Sequence, residues 1–185
     1  KALSEEDSLN DIIPIIYSEL EIIKFYLNHL TIKADLNIID DPLKAKYGHL
    51  NIYQLSNSNF KIDFGKQKKE SAQVAFKSLS KASEHTLKNL IDGIVTAPID
   101  KNTIQGHNFD FSGHTEYFTS IASRSQSLML MAHRKLKVGI VTNHLSIDQV
   151  SKAITVGAIL NKISLMDDSL KRDFKSKNPK NIQGL

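Results

Sequence analysis

The sequence has 185 residues, 41% of them hydrophobic and 24% charged, which places it in the globular range and excludes intrinsic disorder, a collagen-like repeat and a coiled-coil rod. It contains no cysteine, so a disulfide scaffold, a thiolate zinc site and a cysteine nucleophile are excluded, and a reducing cytoplasmic setting is the expectation. The net charge of +4 and a pI near 9.1 come from interspersed charges, with only Lys66-Gln67-Lys68-Lys69 dense; with no tryptophan and Lys in excess of Arg, no nucleic-acid partner is expected. In chain order, Lys1-Ala2-Leu3 reads as the last turn of a helix that begins earlier. Ile12-Ile13-Pro14-Ile15-Ile16-Tyr17 is a short, β-branched, apolar run of the kind buried in a parallel sheet. Ser18 with Glu21 three residues on predicts a capping box, and Ile22, Ile23, Tyr26, Leu27 and Leu30 give the following helix an apolar face.

Leu36 to Ile39 and Leu50 to Leu55 read as strands separated by the breakers Asp41-Pro42 and Gly48. Between Ser71 and Leu90 the residues Val74, Ala75, Leu79, Ala82, Leu87 and Leu90 recur at helical spacing, and Ile91 to Pro98 reads as a strand closed by proline. His114 to Ser123 predicts a helix, Ser127 to Ala132 and Val138 to Thr142 strands, and Ser146 or Asp148 opens a helical stretch to about Lys175. Asn178-Pro179-Lys180 breaks that helix before a further strand, so both ends suggest a piece of a longer chain. Alternating strands and helices predict a three-layer α/β/α architecture, with residues 1–98 in one lobe and 99–185 in a second. The longest apolar runs are too short to span a bilayer.

Ligands of open α/β sheets gather where strands end and helices begin. Two such ends are rich in chemistry: Thr96-Ala97-Pro98-Ile99-Asp100-Lys101 with Ser112-Gly113-His114-Thr115-Glu116, and Thr142-Asn143-His144-Leu145-Ser146. Gly113 permits backbone close to a ligand, His114 and Thr115 open a helix, and Lys101 adds positive charge, a set suited to a phosphorylated or carboxylated small molecule. Each residue also has a plainer reading: Thr115 as a first-turn residue, Glu116 as an acid favoured at a helix N-terminus, Lys101 as a solvated lysine and His144 as a structural histidine. His29, His49, His85, His107 and His133 show no metal-ligand spacing.

The segments Gly93 to Lys101, Ser112 to Phe118 and Val138 to Leu145 resemble, in the same order and at compatible separations, the 4-hydroxythreonine-4-phosphate dehydrogenase family of pyridoxal phosphate biosynthesis. The resemblance implies an isocitrate/isopropylmalate dehydrogenase-like fold lacking its C-terminal part, a homodimer, and NAD-dependent oxidation of a phosphorylated hydroxy amino acid assisted by a divalent metal (zinc, magnesium or cobalt). It implies that the product is a β-keto acid that decarboxylates. It maps His114 and Thr115 to substrate binding and His144 to metal binding, and it favours Lys101 as a catalytic cation. The two further metal-binding histidines of that family have no counterpart after His144, and its Gly-rich first turn and dinucleotide-binding region are missing. The 185 residues by themselves are therefore expected to be inactive. A dehydrogenase of a phosphorylated four-carbon sugar acid, threonate or erythronate phosphate, shares these motifs, and a phosphate acetyltransferase-like enzyme shares the fold.

Overall fold

The computed structural model describes residues 12–56, 62–66, 68–104, 109–122, 126–134 and 136–174, without the side chains of Lys101 and Asn102. It forms two compact units, Lys1–Phe118 and Thr119–Leu185. In the first, strands β1 (Ile15–Ser18), β2 (Leu36–Ile39) and β3 (Leu50–Gln54) make a parallel sheet in the order β1-β3-β2. The register sets Ile16 and Ile38 on either side of Ile52, and Ile15 and Asn37 on either side of Asn51. The central strand is consequently the driest: Leu50, Asn51 and Ile52 are buried, as expected for a parallel strand covered on both faces.

Helix α1 (Leu20–His29) leaves β1 without the predicted box. Ser18 closes the strand, Glu19 occupies the cap position with no side-chain capping bond, and the Leu20 N–H instead donates to Gln54 Oε1 of β3 at 3.0 Å. A tertiary partner has taken the place of the local cap, while Glu21 pairs with Lys24. Helix α2 (Lys69–Leu87) packs on β1, and its end is a Schellman motif. Asn89 takes a left-handed φ of 55°, Leu90 N–H donates to the His85 carbonyl and Asn89 N–H to the Thr86 carbonyl.

The strand expected over Ile91 to Pro98 is not formed. The segment carries the right β-branched residues, but it has no ladder partner among the described residues, and Val95 is fully exposed. Strand propensity without a neighbouring edge leaves an extended loop. Helix α3 (Lys101–Ile104) follows, capped by Asp100, whose Oδ1 accepts from Thr103 N–H, and it packs against α2. Ile104, Phe109 and Tyr117 are buried, and the Phe76 ring of α2 meets those of Phe109 and Tyr117. This ring cluster ties the segment after Pro98 to α2, and the two compact units divide inside α4 (His114–Ile121).

In the second unit β4 (Met129–His133) and β5 (Leu136–Ile140) form an antiparallel hairpin. The single long helix expected from Ser146 is interrupted: α5 (Ile147–Ala153) ends at Ile154, and Thr155, extended at φ −116°, caps α6 (Val156–Arg172) by accepting from Ala158 N–H. α6 lies against β5, where Gly139 leaves room for Leu128 and Met166, each 3.3 Å from where its Cβ would stand. The mixed α/β class read from the sequence is thus borne out, as one parallel sheet with its helices and one separate hairpin with its helices. Among the described residues no helix is long and apolar enough to cross a membrane.

Candidate functional site

The two chemistry-bearing segments of the first unit meet at one open cleft. Thr96, Ala97, Pro98 and Ile99 form one wall and His114 the other, around a volume of about 360 Å³. The first wall is the extended loop that failed to become a strand; unpaired in any ladder, its residues are available to line a surface. Pro98 and Ile99 also border a second cavity of about 430 Å³ against the first turn of α2 and α3.

His114 is fixed from below. Phe109, wholly buried, meets Phe111 at 5.5 Å and Tyr117 at 5.7 Å, and Tyr117 meets Phe118 at 5.7 Å. Phe118, one helical turn beyond His114, lies nearly parallel to the imidazole with centroids 6.2 Å apart. Burial among these rings pushes the His114 pKa below its usual 6.5, so the ring stands neutral near pH 7, with one nitrogen donating and one accepting. Thr115 follows it in the first turn of α4, and Gly113 precedes it, its carbonyl accepting from Tyr117 N–H at 3.2 Å.

Of the residues singled out from the sequence, the structure therefore brings Thr96 to Ile99 together with His114 and, next to it, Thr115. The Lys101 backbone opens α3 one residue past Asp100, but its side chain lies outside the described residues. His144 belongs to the second unit, in the loop between β5 and α5, where it is exposed and held at φ +57°. A left-handed backbone is uncommon for any residue but glycine, and such positions gather at ligand sites. Among the described residues no three His, Asp or Glu side chains converge as a metal site. These residues alone do not fit a divalent ion.

Sequence reasoning passed over two features. Phe118 was readable, because a ring four residues after a helical histidine shares its face. The pairing of the Tyr17 hydroxyl with His85 Nδ1 at 2.8 Å, across 68 residues, left no sequence signal.

A family model described as "Pyridoxal phosphate biosynthetic protein PdxA" matches residues 10–185. The chain belongs to this family. It is 32% identical over 175 residues to a 4-hydroxythreonine-4-phosphate dehydrogenase of Bacteroides thetaiotaomicron, covering 94% of this chain and 48% of the relative. The crystal structure of a 4-hydroxythreonine-4-phosphate dehydrogenase from Burkholderia phymatum superposes with a TM-score of 0.82 at 20% identity, over 91% of this chain and 52% of that one. One from Klebsiella pneumoniae gives a TM-score of 0.78 at 24% identity, over 89% and 50%. The chain thus has the PdxA fold and spans about half the length of the PdxA proteins it matches.

Proposed function

We propose that the intact protein is a 4-hydroxythreonine-4-phosphate dehydrogenase, oxidising 4-phosphooxy-L-threonine with NAD⁺ to a β-keto acid that loses carbon dioxide. The proposal extends to the isocitrate/isopropylmalate dehydrogenase-like three-layer fold and to a cytoplasmic homodimer. The observation that carries it is the meeting of Thr96 to Ile99 with His114 at one cleft, in a chain whose family membership covers nearly its whole length.

In this reading the substrate occupies the cleft, and His114 and Thr115 hydrogen-bond its polar groups. The desolvated imidazole is suited to this, since a neutral ring both gives and accepts a proton-mediated contact. The N–H groups of the first turn of α4 favour a negatively charged group nearby. Lys101, directly after the cleft-lining segment, would add positive charge toward a phosphate or a developing oxyanion. NAD⁺ supplies the hydride acceptor when bound. His144 is the one residue here assigned to a divalent metal, and since the described residues do not complete such a site, no step is derived through it.

The test is purification of the intact protein and measurement of NADH absorbance with 4-phosphooxy-L-threonine, and with threonate and erythronate phosphates in parallel. Turnover with the amino acid substrate at least tenfold above the sugar acids is the expected outcome. Preference for a sugar acid phosphate, or no NADH with any of them, refutes the assignment.

A further inference from the structure

The cavity of about 430 Å³ beside the first turn of α2 lies within the first unit and has no task in the reading above. Its floor is apolar, with Ala72 and Ile104 both buried, and Lys66, Lys68 and Ser71 stand around it. Thr103 of α3 lines it too, and the Thr103 hydroxyl oxygen is buried without a hydrogen-bond partner. A buried hydroxyl in that condition calls for something to fill it. The charges make the same demand. Lys66, Lys68 and Lys69 crowd the start of α2, where the helix dipole disfavours cations, and Glu70 is the acid of that first turn. The cap residue Lys68 gives the first-turn N–H groups no side-chain bond. Asp63 pairs with Lys68 at 2.6 Å, and Asp100, on the cavity wall, accepts at Oδ1 from Thr103 N–H at 3.2 Å. Lys66 makes no ion pair among the described residues. Helix stability does not explain this dense basic run, whereas an anion at the helix start does.

We propose that this cavity is an anion site separate from the substrate cleft, taking a small organic phosphate. The phosphate group lies against Lys66, Ser71 and the first turn of α2, and the Thr103 hydroxyl meets a polar atom of the same ligand. The space is several times larger than a bare phosphate ion, and its apolar floor at Ala72 and Ile104 suits the organic part. Pro98 and Ile99 line both spaces, so an occupant bears on the back of the wall that His114 faces across the cleft. The inference goes beyond the assigned reaction and does not depend on it.

The experiment titrates phenyl phosphate, and inorganic phosphate in parallel, into the intact protein at constant ionic strength and follows the amide resonances of Ser71 and Thr103. Saturable shifts at both are expected, with phenyl phosphate bound more tightly. Lys66→Gln and Ser71→Glu should each weaken binding by about fivefold or more. Thr103→Val should weaken it by about two- to threefold. Ser71→Glu places an acid in the first turn of a helix and Thr103→Val removes an unfilled hydroxyl, so neither should lower the urea midpoint. His114→Ala alters the cleft and should leave the Ser71 response in place. Shifts that do not saturate, or that persist at wild-type affinity in both Lys66→Gln and Ser71→Glu, overturn the inference. So does loss of the Ser71 response in His114→Ala, which would put the phosphate in the cleft, and so does inorganic phosphate binding as tightly as phenyl phosphate. Failure of the protein to oxidise 4-phosphooxy-L-threonine would remove the functional reading and leave these titrations to decide the second site.

Discussion

Asn51 offers the sharpest test of how the first unit is held together. It is completely buried in the central strand, and every polar atom of its amide is engaged. Its Oδ1 accepts from Asn37 Nδ2 and from Lys46 N–H, both at 2.8 Å, and its Nδ2 donates to the carbonyls of Pro14 and Lys46 at 3.0 Å and of His49 at 3.3 Å. The side chain thereby pins the loop between β2 and β3 to the sheet and to the segment entering β1. Asn51→Ala removes all of these bonds. The two N–H hydrogens and Oδ1 make at most four full bonds, so at roughly 1 kcal/mol net per bond the ceiling is near 4 kcal/mol, and since exposed Lys46 can regain water the expected loss is about 3 kcal/mol. That corresponds to a fall in Tm of roughly 6–12 °C for a chain of this size. Asn51→Leu, which fills the space but orphans the same groups, should cost about as much. Asn51→Asp should be worse at pH 7 than at pH 4, because an ionised carboxylate would face three carbonyl oxygens. All five tyrosines, and no tryptophan, lie in the first unit, so tyrosine fluorescence in a urea titration reports on it selectively. A loss below about 1 kcal/mol for both Ala and Leu would show that the network is incidental to stability.

His85 and Tyr17 should give the unit a pH-dependent stability with two flanks. Burial holds the His85 pKa below its usual 6.5, so the unfolded chain takes up the proton first and stability should fall as pH drops through about 6.5; Tyr17, pushed up by burial and then by Tyr53 from 10.0 to about 12, should cost stability as pH rises from 10 toward 12. Urea midpoints at pH 5, 7 and 10.5 check this, with His85→Gln expected to flatten the acid flank and Tyr17→Phe the alkaline one; unchanged flanks refute the linkage. His114→Ala and Thr115→Val should each weaken substrate capture by about 1–3 kcal/mol while leaving NAD⁺ affinity in place, and fluorescence titration showing the reverse would overturn their assignment. Calorimetry with zinc or cobalt should find no stoichiometric site on the 185 residues by themselves, and a site on the intact protein weakened by His144→Ala; tight binding by the 185 residues that His144→Ala abolishes would contradict the expectation that the other ligands lie elsewhere.

What the sequence disclosed and what it withheld divide along the range of the forces involved. The periodic apolar faces of α1 and α2 and the short runs of β2 and β3 are set by neighbours a few residues away, and local pattern reaches that far. The break between α5 and α6 at Thr155 is local, but the other misreadings turned on a distant partner. Gln54 replaced the predicted Ser18 cap, and Ile91 to Pro98 had strand-forming residues but no edge to pair with. Likewise the meeting of Phe109 and Tyr117 with Phe76 joins rings far apart in the chain. No local signal encodes those meetings.

The site follows the same rule with one addition. The wording of the Thr96 to Lys101 and Ser112 to Phe118 segments marked them as chemical, yet nothing in their spacing said that they face each other; the ring cluster beneath α4 does that, by carrying His114 to the wall opposite Pro98. The loop that lost its strand pairing is the one that lines the cleft. A strand committed to a ladder spends its backbone groups on its neighbours, whereas an extended segment at the margin of a sheet keeps them for a ligand. The same reasoning applies to His144, whose left-handed backbone after β5 takes it out of both strand and helix and leaves its ring exposed in the loop between them. In each place the residues that departed from the local pattern are the ones to which the functional reading assigns chemistry, as is expected where fold and function make competing demands on the same backbone.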